Sequence, residues 1–196
     1  MKNEVKKGKL VIFSAPSGSG KTTLVHYIMA QLPNLEFSVS ATSRKARPGE
    51  KDGVDYYYLS TDVFKEKIAA GEFVEWEEVY DNQFYGTLKS EVELIRDRGN
   101  SVIFDVDVKG GLSIKRLYGP EALAIFIRPP SIAVLESRLR HRSTESEGSI
   151  DKRIARASYE LGFEEKFDVV LVNDELEKSK SSSLTVVEDF LNKKDQ

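Results

Sequence analysis

The chain has no cysteine. That excludes disulfides, thiolate nucleophiles, iron–sulfur clusters and cysteine-ligated zinc together. Histidine is nearly as scarce. His26 and His141 are the only two, which argues against a histidine-ligated metal or a Ser-His-Asp triad. No apolar run is long: the longest, Ala122 to Ile127, falls far short of the ~20 residues a membrane helix needs. The charged stretch Met1 to Lys9 is followed by only four apolar residues, Leu10 to Phe13, so no signal peptide is expected and a cytoplasmic location is. An excess of one charge is missing too. Lys plus Arg number 29 against 32 for Asp plus Glu, a net of −3, which argues against nucleic acid or a membrane as partner.

What is present suffices for one domain with a small insertion: 196 residues, 40% hydrophobic and 31% charged. Short apolar runs recur at Leu10–Phe13, Val102–Phe104, Ala122–Ile127 and Val169–Val172. Each is too continuous to be half-exposed, which predicts strands covered on both faces, as in a parallel sheet. Helical spacing lies between them, in Leu24, Val25, Ile28, Met29 and Leu32, in Ile132, Leu135 and Leu139, and in Ile150, Ile154 and Leu161. Alternating strand and helix predicts an α/β fold with a three-layer core. Phe37 to Tyr85 breaks the alternation. It carries β-like pieces around Phe37–Ala41, Tyr56–Leu59 and Phe73–Val79, a helical stretch Asp62–Ala70, and turn pairs such as Asp81-Asn82. This reads as a small mixed lobe inserted into the core. Glu177 to Ser183 reads as a polar tract, and His141 to Ser149 as a mobile loop between two helices.

Ala15-Pro16-Ser17-Gly18-Ser19-Gly20-Lys21-Thr22 follows the first strand and opens a helix, the context a phosphate-binding loop requires. Gly18 and Gly20 let backbone N–H groups turn inward, where they and the helix N-terminus bind phosphate oxygens. Lys21 then reaches the β- and γ-phosphates, and the Thr22 hydroxyl holds Mg²⁺. Ala15 stands where the usual pattern begins with glycine. The bland alternative is a glycine-rich turn that merely packs. Val102 to Asp107 is an apolar strand ending in two carboxylates, and strand ends in parallel sheets face the ligand crevice. Asp105 is therefore a candidate Mg²⁺ ligand, with Asp107 at the same strand end. Alone, the pair reads more readily as solvated acids, and the neighbouring phosphate loop reverses that.

Thr42 to Leu59 is the discriminating stretch. Arg44 and Arg47 with Tyr56 and nearby hydroxyls can wrap one phosphate, although a solvated basic turn has the same composition. The segment resembles the guanylate kinase family at Thr42-Ser43-Arg44, Arg47, Glu50, Gly53, Tyr56, Tyr58 and Leu59. The resemblance continues through Phe73-Val74-Glu75-Trp76, Tyr85-Gly86-Thr87, Asp105-Val106-Asp107, Pro129-Pro130-Ser131, the Arg138/Arg142 region and Val172-Asn173-Asp174. It implies a P-loop NTPase core over 1–36 and 88–196 with a short lid at about 138–153. The GMP-binding lobe then spans 37–87.

The resemblance further implies that Ser40, Arg44, Arg47, Tyr56 and Tyr85 hold the GMP phosphate, while Glu75 and Thr87 read guanine. Asp105 or Asp107 lies near the base amine or the metal. Residues Ala15 to Thr23, Arg138, Arg142 and Asn173 bind ATP, and Lys21, Arg44, Arg138, Arg142 and Arg153 are catalytic. Thr87 stands where serine is frequent in the family, and both supply a hydroxyl. The implied substrates are ATP and GMP, with Mg²⁺. A P-loop kinase of another phosphorylated acceptor is the first alternative, which the guanine-reading pair Glu75 and Thr87 disfavours. A non-catalytic module of the same family is the second, disfavoured by the intact Gly18, Gly20, Lys21 and Thr22.

Overall fold

The computed structural model describes residues 7–142 and 147–193, except for the side chains of 141, 142 and 147–149. In chain order the elements are β1 (Leu10–Ser14), α1 (Lys21–Gln31), β2 (Leu35–Phe37), β3 (Ala41–Thr42), β4 (Tyr57–Tyr58), α2 (Thr61–Ala69), β5 (Phe73–Tyr80) and β6 (Gln83–Leu88). There follow α3 (Lys89–Asp97), β7 (Ser101–Val106), α4 (Val108–Tyr118), β8 (Ala122–Arg128), α5 (Ile132–Arg142), α6 (Glu147–Leu161), β9 (Val169–Val172) and α7 (Leu176–Asn192). A five-stranded sheet has the order β2-β7-β1-β8-β9. β1 runs parallel to β8 (Leu10 opposite Ala122), and β8 parallel to β9 (Ile125 opposite Val169). Every residue of β1 is buried, and all of β8 but Arg128. Burial at consecutive positions means both faces are covered, so the sheet lies between helical layers and the fold is α/β.

The structure corrects four local readings. Val169–Val172 is the sheet edge rather than a strand covered on both faces. With a neighbour on one side only, its alternate residues Val170 and Val172 are 37% and 44% exposed. The polar tract Glu177–Ser183 lies inside α7, where Ser179 and Ser183 are buried, and α7 packs against α1 and β9. Phe37–Ala41 is not one strand, since β2 ends at Phe37 and β3 begins at Ala41. Helix also enters His141–Ser149 from both ends, because α5 reaches Arg142 and α6 opens at Glu147; residues 143–146 are outside the described ones. Buried Leu135 and Leu139 on α5 pack with Ala157 and half-buried Ile154 on α6, and that apolar seam carries both helices.

Two compact units divide the chain: Met1–Lys9 with Asn34–Val102, and Leu10–Pro33 with Ile103–Gln196. The first holds a four-stranded sheet, β4-β3-β6-β5. β5 and β6 form a hairpin, Tyr80 opposite Gln83, and its turn is possible because Asn82 tolerates the left-handed region at φ 56°. Ser60 caps α2 by accepting the Val63 N–H at 3.2 Å. Phe64 stacks on Phe73 and Phe84, ring centroids 4.3 and 5.5 Å away, and with Ala41 these rings form the lobe's own core. Burying each ring is worth about 1.5–3 kcal/mol.

Candidate active site

The second unit builds its site on the turn between β1 and α1. Gly20, at φ 88°, precedes the first helical residue, Lys21. A Cβ there would meet the Asn173 amide nitrogen, so the position demands glycine for both backbone and space. Asn173 is buried and backs the loop, its Nδ2 donating to the Ser19 carbonyl at 2.7 Å. Arg138 Nη2 donates to the Asn173 carbonyl at 3.1 Å, and Arg153 Nη2 to Ser17 Oγ at 2.7 Å. Arg142 closes α5, and its side chain is outside the described residues.

Asp105, near the end of β7, gathers the two reactive side chains of the loop. Its Oδ1 lies 2.5 Å from Lys21 Nζ and its Oδ2 accepts the Thr22 hydroxyl at 2.8 Å. Lys21 also donates to the Val106 carbonyl at 2.7 Å. Asp107 has other partners. Its Oδ1 accepts the Gly110 N–H at 2.8 Å and so caps α4, while its Oδ2 faces Arg156 at 3.6 Å. A cavity of about 460 Å³ is lined by residues 15–23 with Asp105, Asp107, Arg153, Arg156 and Glu160. Arg156 and Glu160 are not among the site residues expected from the sequence. Their four-residue spacing was the available signal, and in the structure they pair at 2.9 Å.

Thr22 and Asp105 place two hard oxygen donors side by side. Mg²⁺ binds through one or two such ligands and completes its shell with water and substrate phosphates, so these residues fit that ion. Among the described residues no cluster of three or more His, Cys, Asp or Glu is placed to hold a metal.

The first unit carries a second constellation of charge. Arg44 Nη1 and Nη2 each donate to Glu50, both at 2.7 Å, and the guanidinium lies 5.1 and 5.7 Å from the ring centroids of Tyr56 and Tyr58. Tyr56 in turn packs edge-on against Tyr85, centroids 5.9 Å apart. Glu50 also accepts the Arg47 backbone N–H at 2.7 Å and the Tyr58 hydroxyl at 2.8 Å. Bonding to Arg44 and to the Arg47 amide holds the Glu50 carboxyl well below the usual range, and the Arg44 guanidinium rises correspondingly. Burial, then the bond to Glu50, pushes Tyr58 up to about 12. The Arg47 side chain is exposed, and Ser40 is engaged through its carbonyl, which accepts the Tyr57 N–H at 2.9 Å. Further along the sheet, buried Thr87 donates its hydroxyl to Glu75 Oε1 at 2.7 Å, a cross-strand pair in the β5–β6 register.

Against known protein families, residues 7–193 match the guanylate kinase model. The chain belongs to the guanylate kinase family. It is 53% identical over 185 residues to a guanylate kinase of Bacteroides fragilis, covering 94% of this chain and 91% of the relative. A guanylate kinase of Salinibacter ruber is 47% identical, covering 93% and 96%. Among solved structures, the crystal structure of guanylate kinase from Anaplasma phagocytophilum superposes with a TM-score of 0.73 at 28% identity, covering 96% of this chain and 88% of that one. Family membership and the α/β fold of the resemblance thus stand. The structure brings Lys21, Thr22 and Asp105 together in one unit, and Arg44, Tyr56 and Tyr85, with Glu75 beside Thr87, in the other. Glu50 and Tyr58, which sequence reading gave no role, join the Arg44 cluster. It also separates Asp105 from Asp107 by partner, a distinction the sequence left open.

Proposed function

We propose that this protein is an ATP-dependent guanylate kinase, transferring the γ-phosphoryl group of ATP to GMP to give ADP and GDP. The supporting observation is the convergence of Lys21 and Thr22 on Asp105 at the mouth of a glycine loop. The loop over Ala15 to Thr23 binds the ATP phosphates through backbone N–H groups and the α1 N-terminus. Lys21, Arg138, Arg142 and Arg153 lie on the ATP side, and Asn173 keeps the loop in shape. Mg²⁺ held by Thr22 and Asp105 would supply charge shielding for the β- and γ-phosphates when bound.

The acceptor occupies the lobe. Arg44, Arg47, Ser40, Tyr56 and Tyr85 hold its phosphate. Glu75 takes the two adjacent guanine donors, N1–H and the N2 amine, with Thr87 fixing the carboxylate. No general base is needed, because the second pKa of a phosphate monoester is about 6 and an acceptor oxygen is already ionised near neutrality. The barrier is mutual repulsion of two polyanions, so the cationic side chains act by alignment and charge neutralisation. Among the described residues no helix is long and apolar enough to cross a membrane. Cytoplasmic residence belongs to the same proposal.

A coupled ADP-release assay with ATP, Mg²⁺ and GMP, dGMP, AMP, UMP or CMP tests the reading. GMP should be preferred by a wide margin. Turnover of GMP no better than AMP removes it.

A further inference from the structure

Glu50 folds back across its own loop, beneath Arg44. The chain turns at Gly49, φ 91°, and the Glu50 N–H donates to the Arg47 carbonyl at 3.1 Å. The carboxylate thereby accepts four hydrogen bonds: two from Arg44, one from the Arg47 amide and one from the Tyr58 hydroxyl. A guanidinium carries five N–H donors in a rigid plane. Glu50 takes the end formed by Nη1 and Nη2, and the Lys45 carbonyl takes another Nη1 hydrogen at 2.9 Å. The side edge, Nε–H with the second Nη2 hydrogen, is the one Glu50 does not use. It has the two-donor shape that matches a phosphate oxyanion. Tyr56 and Tyr58, themselves in edge contact with centroids 6.0 Å apart, pack against the guanidinium and restrict its rotation.

A carboxylate on a phosphate-binding arginine has two opposite possible effects. It can compete for the cation and weaken phosphate binding, or it can spend one edge of the fork to aim the other. The four-bond anchorage favours aiming. Side chains of Arg44 and Glu50 are only 11% and 20% exposed, and a carboxylate tied to a backbone amide and a tyrosine does not swing aside cheaply. We propose that Glu50 is a positioning residue for the acceptor phosphate, orienting the Arg44 guanidinium before GMP arrives, with the Tyr58 hydroxyl as its anchor. This rests on the guanylate kinase reading of the lobe.

The experiment compares wild type, Glu50→Gln and Tyr58→Phe by steady-state kinetics with GMP and ATP varied separately, alongside calorimetry with GMP alone. In Glu50→Gln the amide cannot accept from both guanidinium nitrogens, and KM and Kd for GMP should rise ~10-fold or more. The ATP KM and the kcat at saturating GMP should stay within ~2-fold, a split that general loosening of the fold does not produce. Tyr58→Phe removes one neutral donor, so the same change is expected at ~2- to 5-fold. That variant carries the test if Glu50→Gln melts below assay temperature. Tighter GMP binding in Glu50→Gln overturns the proposal in favour of competition, and unchanged GMP binding overturns it as well. Failure of the wild-type protein to bind GMP removes the functional reading itself, a result separable from both.

Discussion

On the proposed reading, residues 14–22 and 42–58 both receive phosphate, and they do so with different parts of the chain. The first site is mostly backbone: glycine conformations, a helix N-terminus and buried Asn173 fix the loop, with Lys21 and Thr22 as its side-chain donors. The second is mostly side chain, a guanidinium packed against two adjacent tyrosines and bonded end-on to a carboxylate. Backbone sites are rigid because the fold defines them. Side-chain sites need auxiliary residues to remove rotamer freedom, and Arg44 has Glu50, Tyr56 and Tyr58 for that purpose. Substitutions in the first should therefore act on turnover, and in the second on the choice and binding of acceptor.

The largest effect is expected for Lys21→Met. It removes the charge beside the transferred phosphoryl group, and kcat should fall by on the order of 10³-fold or more. The variant should remain folded, with a melting temperature a few degrees lower because Asp105 loses its ion pair. Comparing turnover with thermal melting decides the matter. A folded Lys21→Met protein with near wild-type turnover would take catalysis away from this loop.

Glu75→Gln comes next and tests the lobe as a reader of the base. Thr87 donates to Oε1 and so fixes which way the carboxylate faces. An amide accepts only one of the two guanine hydrogens and opposes the other, so kcat/KM for GMP should drop about 30- to 150-fold, with AMP affected less. An unchanged GMP-to-AMP ratio would mean that Glu75 does not read the base. Arg44→Ala should cost roughly ten- to a hundred-fold in kcat/KM for GMP while binding of an ATP analogue shifts only a few-fold. Equal losses for both nucleotides would erase the distinction between the two sites.

The same contrast explains what was legible in the sequence. Gly18, Gly20, Lys21 and Thr22 after an apolar run announce their purpose by spacing, because a backbone site has few solutions. β1 and β8 were equally plain, as buried parallel strands must be apolar at consecutive positions. Val169–Val172 has the same composition and lies at the edge, since no local pattern says how many neighbours a strand will have. Ser179 and Ser183 look like a polar tract and are buried in α7; small hydroxyl side chains fit a close helix contact as readily as solvent. In the lobe, residues distant in sequence supply one function. The Tyr58–Glu50–Arg44 chain of bonds is invisible to periodicity, and only the resemblance to guanylate kinases singled the segment out.

The smallest expected effect is on acid stability, and it isolates the side-chain site from the backbone one. Glu50 is ionised at neutrality in both folded and unfolded chains, but its folded pKa is depressed by Arg44 and the Arg47 amide. An unfolded glutamate titrates near 4.3. Stability from the ionised carboxylate is therefore present in full above that value. It is lost as pH falls from there towards the folded pKa, because the unfolded chain takes up the proton first. Glu50→Gln has no such proton to bind. It should melt below wild type at pH 7, and the gap between the two melting curves should narrow from about pH 5 to pH 3. Other carboxylates titrate in the same range, so the difference between the variants is the quantity to follow. Melting temperatures that fall in parallel over that range would show that the Arg44–Glu50 pair contributes nothing to lobe stability. Its role would then be confined to the bound phosphate.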